Sequence, residues 1–266
     1  MRWFDAGVNC FDKRMPMHST IEQAVNDDVT NMCVIATHQE DWQACIDAIN
    51  AYPQNLVATM GVHPHYADNV SSDWDSQLIE RLKDKRIVAV GETGLDFNRM
   101  FSSKQNQLSV FERQLEVAVE RQLPVYLHER DAFEEQISLL SKYANQLQSG
   151  LVHCFTQSLE QMQAYLSLGF YIGITGWICD PKRGAALREA VVNLPIERLI
   201  LETDAPYLFP KTVKPRQSNN HPKFLPNIAD SVAEILGLPI ELLATQSYAN
   251  TCELFNLTES GSPRAS

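Results

Sequence analysis

No stretch of this 266-residue chain approaches the ~18 consecutive apolar residues that a membrane-spanning helix needs. Residues 1–5 also lack the apolar core of a secretory signal. We therefore expect a cytoplasmic protein with no membrane partner. Hydrophobic residues make up 44% of the chain and charged residues 21%, a globular composition that excludes disorder or a coiled coil as a description of the whole chain.

Basic charge and cysteine pairs are both scarce. Twenty-two basic residues face 33 acidic ones, for a formal net charge of -11. This deficit argues against a protein that coats nucleic acid nonspecifically, because such binding depends on excess cationic charge. It leaves open a nuclease in which metal ions and a local basic loop contact the phosphates. The six cysteines are scattered without a Cys-x-x-Cys pair, so we interpret them as reduced thiols rather than a disulfide framework or a zinc ribbon.

What is present is one pattern repeated eight times: a short apolar run, a polar turn and, in most cases, a helical segment. The runs are 3–8, 32–37, 57–63, 87–92, 124–128, 151–155, 170–175 and 199–204. Valine, isoleucine and aromatic residues dominate them, as in buried parallel strands. Because a (β/α)8 TIM barrel needs ~250 residues, the pattern predicts one such barrel domain over residues 1–257. The alternative is an open doubly wound sheet, but no Gly-x-Gly-x-x-Gly follows the first run.

Apolar residues spaced by three and four predict the helices. Segments with this character include 39–50, 73–84, 224–236 and 239–256. Capping-box spacing predicts helix starts at Ser102, Asp131 and Ser158. We expect residues 258–266 to form a flexible tail.

Histidines and carboxylates lie at the C-terminal ends of five of the predicted strands, at the end of the barrel where active sites lie. They are His63 with His65, Glu92, His128, His153, and Glu202 with Asp204. Imidazole nitrogens and carboxylate oxygens that converge on one point favour a divalent cation. Such a cation polarises phosphoryl or carbonyl oxygens and generates hydroxide near neutral pH. The strands were defined from hydrophobic runs alone, so this common placement of polar residues predicts a metal site.

Each of these residues, taken singly, has a plainer interpretation. His128 fits a hydrogen-bonded residue at the barrel rim, and Glu92 fits an ion-pair partner of Arg130. Asp204 fits a turn residue before Ala-Pro. Glu202 is either an orienting partner of a ligating histidine or a buried hydrogen-bonded carboxylate. Because Asp204 lies nearer the rim, we expect it to be the ligand or general base.

A long proline-punctuated loop, 206–226, contains four basic residues and no acidic one. Lys211 and Arg216 of this loop, together with Arg130, are candidates to hold a polyanion near the metal. Three aromatic residues are candidates to stack on unpaired bases: Trp177, Tyr207 and Phe209. The alternatives are a solvated loop and core aromatics.

Five separated motifs add a family resemblance. They are Gly61-Val62-His63-Pro64-His65, Gly91-Glu92-Thr93-Gly94-Leu95-Asp96, Pro124-Val125-Tyr126-Leu127-His128 with Arg130, His153-Cys154-Phe155-Thr156 and Leu201-Glu202-Thr203-Asp204-Ala205-Pro206-Tyr207. In this order they resemble the signatures of the TatD family of metal-dependent deoxyribonucleases, and the resemblance runs from Phe4 to about Leu257. It implies a barrel of the amidohydrolase type and a cytoplasmic, magnesium-dependent 3′–5′ exonuclease on single-stranded DNA and RNA. It also implies a part in the repair of oxidised DNA.

The resemblance also implies residue roles. It gives metal-site roles to Glu92, His128, His153 and Asp204, and makes His63 and His65 a pair that contacts substrate or metal. Most members carry His-x-His after the first strand, where this chain has Gly7 and Asn9. One metal, or a second one held by substrate phosphate, is therefore the alternative to a tight two-metal cluster. Imidazole ligands suit zinc or manganese better than magnesium; we predict a divalent cation, with magnesium first.

The predicted mechanism is metal-assisted hydrolysis with Glu92 and Asp204 as catalytic residues, in which Asp204 positions or deprotonates the attacking water. The substrate-binding residues would be His63, His65, Arg130, Lys211 and Arg216. Two other functions stay open: a metal-dependent amide or ester hydrolase, such as an aminoacyl-tRNA deacylase, and a nucleic-acid-binding scaffold without catalysis. We expect a monomer.

Overall fold

Eight strands, each paired in parallel with the next along the chain, form one sheet in a computed structural model that describes residues 1–264. The strands are β1 Trp3–Asn9, β2 Val29–Ile35, β3 Leu56–Met60, β4 Ile87–Asp96, β5 Val125–Arg130, β6 Gly150–Val152, β7 Tyr171–Ile174 and β8 Leu199–Leu201. Their residues are almost all buried, which explains the continuous apolar runs in the sequence.

The sheet closes on itself where β1 meets the segment after β8. Asn9 N donates to Ala205 O at 2.9 Å, and Asp204 N donates to Gly7 O at 2.9 Å. An open doubly wound sheet would leave both of these edges unpaired. The predicted (β/α)8 barrel is therefore confirmed, and the open sheet is excluded.

Five strands end earlier than the sequence predicts, β2 and β7 by one or two residues and three others by three residues. The runs 57–63, 151–155 and 199–204 contain strands that stop at Met60, Val152 and Leu201. The polar residues beyond these strands still hydrogen-bond to the neighbouring segment through their backbones. These bonds are His63 N to Thr37 O (2.7 Å), His153 N to Leu127 O (2.9 Å) and Glu202 N to Ile174 O (3.0 Å). The site residues therefore begin the loops at the rim, in positions fixed by the barrel.

Helices alternate with the strands and cover the outside of the barrel. They are α1 Met17–Asn26, α2 Gln39–Ala51, α3 Trp74–Arg81, α4 Lys104–Arg121, α5 Phe133–Tyr143, α6 Leu159–Ser167, α7 Ala185–Val191, α8 Leu225–Leu236 and α9 Ile240–Leu254. The last helix, α9, lies at the opposite end of the barrel from the rim. There Tyr248 packs on Phe4 at 5.8 Å between ring centroids, and Asn250 Nδ2 donates to Leu199 O at 2.8 Å.

One of the three predicted helix starts is confirmed. Ser158 forms a capping box with Gln161 at the start of α6. The prediction at Ser102 is wrong by one residue: Ser103 caps α4, and the Ser102 hydroxyl donates instead to His65 O at 2.9 Å. The spacing pattern could not distinguish the two adjacent serines.

The predicted start at Asp131 is also wrong. The residue before α5 is Ala132, which has no side-chain cap, and Asp131 has a left-handed backbone with φ 54°. Its carboxylate accepts a hydrogen bond from Asn98 Nδ2 at 2.6 Å across the rim.

The segment after α9 is held by hydrogen bonds as far as Arg264. Thr258 N donates to Ser262 O at 2.8 Å, and Arg264 Nε donates to Leu257 O at 3.0 Å. The rest of the predicted tail, 265–266, lies outside the described residues. Within 1–264, no helix combines the length and the apolar character that crossing a membrane requires.

Candidate metal centre

A cleft of about 820 Å³ opens at the C-terminal ends of the strands. Six of the predicted rim residues line it: His63, His65, Glu92, His128, His153 and Asp204. Residues from five different strand ends therefore meet in one cavity, as the sequence predicts.

Three imidazoles form the most compact group in this cleft. Nitrogens of His63, His65 and His128 all lie within 4.8 Å of one another. The ring of His63 is 4.2 Å from that of His65 and 4.3 Å from that of His128, between centroids. A short 3-10 turn, Pro64–Tyr66, directly follows His63 and keeps the first two rings on the same side. This group can hold a metal ion.

Two carboxylates connect these imidazoles. Glu92 Oε1 lies 3.1 Å from His128 Nδ1 and 3.5 Å from His63 Nε2. Asp96 Oδ2 lies 2.8 Å from His65 Nε2 and 3.3 Å from His128 Nε2. Asp96 ends β4 four residues after Glu92, so a single strand supplies both acids. The sequence analysis quoted Asp96 within a motif and gave it no role.

The charges in this group stabilise one another. Burial disfavours ionisation of Glu92, but the neighbouring imidazoles of His63 and His128 outweigh it and hold the pKa of Glu92 below its usual range. Hydrogen bonds from His128 and His65 likewise outweigh partial burial and lower the pKa of Asp96. Burial opposes the charge of His128, yet Asp96 and Glu92 raise its pKa to about 9. A cation in this place would meet two ionised carboxylates and would compete with the proton on His128.

A second group lies beside the first and is built on a buried carboxylate. Glu202 Oε2 accepts hydrogen bonds from the Tyr126 hydroxyl at 2.5 Å and from His153 Nδ1 at 2.6 Å, while Oε1 accepts one from Cys154 N at 3.0 Å. The other ring nitrogen of His153, Nε2, faces Asp204 Oδ1 at 3.7 Å. Glu202 therefore orients His153, and of the two roles left open for it the orienting one agrees with this geometry.

Burial affects the ionisation of both His153 and Asp204, with different outcomes. It opposes the charge of His153, but Glu202 outweighs it and raises the pKa of His153 to about 10. For Asp204, burial raises the pKa to about 6, against the attraction of His153.

Two glycines make room for Glu202. A Cβ at Gly173 would lie 1.8 Å from Glu202 Oε1, and one at Gly7 would lie 2.4 Å from the Tyr126 hydroxyl oxygen. These distances are well below van der Waals contact, so any larger residue at either position displaces the carboxylate or the phenol. Gly7 is thus required by the Tyr126–Glu202 pair, which explains why this position of the first strand carries no histidine.

The first strand still contributes to the site through Asn9. Its Nδ2 donates to Asp204 Oδ1 at 2.8 Å and to Ala205 O at 3.1 Å. Asn9 thereby fixes the orientation of the Asp204 carboxylate, a contribution that the sequence left open.

Three buried glutamines hold the backbone under the imidazole group. Each glutamine Oε1 accepts a hydrogen bond from a backbone N–H: Gln114 from Val62 at 2.8 Å, Gln107 from Asp96 at 2.9 Å and Gln136 from Leu95 at 3.0 Å. Gln107 and Gln114 lie seven residues apart on the buried face of α4. Sequence reasoning missed all three, although an amide within an otherwise apolar helix stripe is a recognisable signal of a buried hydrogen bond.

Only one of the three basic residues predicted to bind substrate lines the cleft. Arg130 lines the cleft, together with Arg99 and Arg183, whereas Lys211 and Arg216 are not among the lining residues. Lys211 forms an ion pair with Asp180.

Of the three candidate stacking residues, Trp177 and Tyr207 line the cleft. Phe209 packs on Phe224 at 5.3 Å between ring centroids and is a packing residue.

A closed barrel with imidazoles and carboxylates converging at its C-terminal rim defines a (β/α)8 barrel protein with a site able to hold a metal. Organophosphorus hydrolase from Deinococcus radiodurans shares this fold, with a TM-score of 0.66 at 12% identity over 95% of this chain and 92% of that one.

Sequence comparison gives the family. The profile described as TatD related DNase matches residues 4–256. Proteins named 3′-5′ ssDNA/RNA exonuclease TatD are 40% identical in Pantoea ananatis and 39% identical in Salmonella typhimurium, each over 96% of this chain and 99% of the relative. The crystal structure of YJJV, a TatD homolog from Escherichia coli, has a TM-score of 0.87 at 27% identity over 97% of this chain and 99% of that one. The chain therefore belongs to the TatD family of DNases, as its motifs predict.

Proposed function

We propose that this chain is a divalent-metal-dependent 3′–5′ exonuclease that hydrolyses phosphodiester bonds of single-stranded DNA and RNA. The observation that carries the proposal is the convergence of three imidazoles and two carboxylates in one cleft at the barrel rim. The relatives named as exonucleases support the substrate and the direction, because they match this chain over nearly the full length of both proteins.

The donor atoms fit a divalent cation. His63, His65 and His128 would hold it with Glu92 and Asp96, and His153 and Asp204 lie beside them in the same cleft. This widens the predicted ligand set of Glu92, His128, His153 and Asp204, because His63 and His65 lie close enough to the other donors to be ligands themselves. A bound cation would polarise the phosphate and make water a stronger nucleophile near neutral pH.

We propose that Asp204 accepts the proton of the attacking water. Asn9 occupies its Oδ1, and no hydrogen bond from residues 1–264 reaches its Oδ2. Oδ2 is therefore the proton acceptor in the proposed reaction. Glu202 keeps Nε2 of His153 pointed at this carboxylate, so the two residues stay in fixed relation as the charge on Asp204 changes.

Arg99 and Arg130 would bind the phosphates of the strand. Both line the cleft, and neither guanidinium has a hydrogen-bond or ion-pair partner in the described part of the chain. Arg183 lies in the same wall, 5.6 Å from the ring centroid of Trp177. A chain of formal charge -11 thus places unpaired arginines beside its candidate reaction centre.

The test is a nuclease assay on a 5′-labelled single strand. We expect a ladder that shortens from the 3′ end, loss of activity in chelator, and recovery when a divalent cation is added back. Glu92→Gln and His128→Asn should abolish cleavage while the circular dichroism spectrum stays unchanged. Glu80→Gln and His18→Asn make the same chemical changes on exposed helix surfaces and should keep full activity.

Other outcomes would contradict the proposal. Full turnover in both site variants, or full turnover in chelator, would refute the metal centre. Hydrolysis of acyl or cyclic-amide substrates without nucleotide release would favour the amide or ester hydrolase, and oligonucleotide binding that is unaffected by chelator and forms no product would favour the scaffold. Parallel additions of magnesium, manganese and zinc decide the metal. The resemblance favours magnesium, and the imidazole-rich donor set favours manganese or zinc.

The role in repair, the cellular location and the oligomeric state of the protein are further predictions. A role in the repair of oxidised DNA predicts that a deletion strain loses viability in peroxide and regains it with the wild-type gene but not with Glu92→Gln. Fractionation of the cells tests the cytoplasmic location, and light scattering tests the monomer.

A further inference from the structure

We propose that the ring of Phe101 is a stacking platform for an unpaired base of the substrate, at the 3′-terminal or penultimate nucleotide. This inference deepens the proposed exonuclease function and rests on it. It assigns a base-binding residue to a position beside the cleft, against His65, that none of the predicted stacking residues occupies.

Phe101 is exposed where an aromatic ring is usually buried. Its relative exposure is 64%, the highest among the large hydrophobic residues of the described chain. The ring lies 4.8 Å from that of His65 at an interplanar angle of 75°. One edge of the platform therefore contacts the imidazole group, while the rest of the ring faces solvent.

The loop that carries Phe101 is anchored on both sides. Before it, Asp96 Oδ1 accepts hydrogen bonds from Asn98 N at 3.0 Å and Arg99 N at 2.7 Å. After it, the Ser102 hydroxyl donates to His65 O at 2.9 Å. The anchors, Asp96 and His65, belong to the candidate metal centre, so the loop that carries Phe101 is fixed relative to that centre. A fixed ring loses little conformational entropy when a ligand stacks on it.

A nucleobase is the occupant that fits this place. Arg99, two residues earlier, lines the cleft with an unpaired guanidinium, so phosphate and base contacts lie next to each other on one loop. Proteins that bind single strands combine cationic grooves with aromatic faces in this way. A base inside a duplex is covered by stacked neighbours on both faces and is held by pairing, so the platform favours an unpaired end, where the base is free to leave its stack. This gives the proposed preference for single strands a structural cause.

The experiment is a coupling measurement between the ring and the base. Three 5′-labelled single strands are compared: an intact one, one with an abasic residue at the 3′ end, and one with an abasic residue at the penultimate position. The value of kcat/KM for removal of the first nucleotide is measured for wild type, Phe101→Ala and Phe101→Tyr. Val192→Ala, a truncation of an exposed apolar residue on the outside of the barrel, is the control.

On the intact strand we expect Phe101→Ala to lower kcat/KM by roughly 5- to 150-fold, the range for loss of one base–aromatic stack. On one of the two abasic strands Phe101→Ala should cause no further loss, because the base that it stacks on is missing. Phe101→Tyr should stay within about threefold of wild type, since it keeps the aromatic face. Val192→Ala should leave all three values unchanged.

Two results would overturn the inference. If Phe101→Ala matches wild type on the intact strand, or if its loss is equal on all three strands, Phe101 stacks on no base. Activity of the wild-type protein in the same assay keeps the exonuclease function intact in either case. If wild type releases no nucleotide from any strand, the exonuclease function itself fails, and the platform fails with it.

Discussion

The substitution Gly173→Ala tests whether the buried carboxylate of Glu202 organises the second half of the centre. The added Cβ would lie 1.8 Å from Oε1 of Glu202 and 3.2 Å from Val152 O. The backbone of β7 is held on both sides by the sheet, so the carboxylate must move by more than 1 Å. It then loses its hydrogen bond from Cys154 N and disturbs the one from His153.

The expected cost follows from these contacts. A hydrogen bond to a buried charged group contributes ~1.5–3 kcal/mol. Loss of one bond and weakening of another therefore reduce the free energy of unfolding by on the order of 3–4 kcal/mol, a large part of the ~5–15 kcal/mol typical of a whole protein. Because His153 also loses its orienting partner, we expect metal affinity or activity to fall by roughly 10- to 100-fold.

Urea unfolding followed by circular dichroism measures the first effect. Gly237→Ala is the matched control, because Gly237 has φ 63° and open space around its Cβ position. It should cost only about 1 kcal/mol, from backbone strain. The double variant Gly173→Ala with Glu202→Ala should show strong coupling, since the clash is gone once the carboxylate is removed. Equal stability losses at positions 173 and 237, with no coupling to Glu202, would refute the reasoning.

Three further predictions concern other buried groups. Burial raises the pKa of Asp5 to about 8 against hydrogen bonds from Thr203, so the folded protein holds a proton that the unfolded chain releases above about pH 4. The contribution to stability is therefore full below pH 4 and falls by on the order of 6 kcal/mol toward pH 8; Asp5→Asn should flatten this slope in urea titrations, and an unchanged slope would contradict the protonated state. Tyr126→Phe removes one donor to Glu202 and should destabilise the fold by about 1–3 kcal/mol, whereas unaltered unfolding would mean that the bond contributes nothing. Gln114→Ala removes the amide under the imidazole group and should weaken manganese binding by roughly 10-fold or more in calorimetry; wild-type affinity would show that this support is unnecessary.

The barrel and the ring of site residues were predictable because both depend on local sequence. Buried parallel strands need continuous β-branched runs, and parallel strands closed into a barrel bring all their C-terminal ends to one rim. Residues such as Glu92 and His128 could therefore be placed together without knowledge of any contact between them.

The partners of these residues could not be predicted in the same way. The bonds from Tyr126 to Glu202 and from Asn9 to Asp204 cross between strands far apart in sequence, and they depend on strand stagger and side-chain rotamers that a single sequence does not show. The role of Asp96 was hidden for another reason: β4 continues to Asp96, further than its apolar run of 87–92, and so carries a second acid to the rim.

Manganese-soaked crystals, with anomalous scattering measured at the manganese edge, test the central claim most directly. We predict an anomalous peak between the carboxylate of Glu92 and the imidazole nitrogens of His63 and His128, absent from crystals of His128→Asn. A protein that degrades single strands from the 3′ end but shows no peak there, or shows its peak away from these residues, would contradict the account.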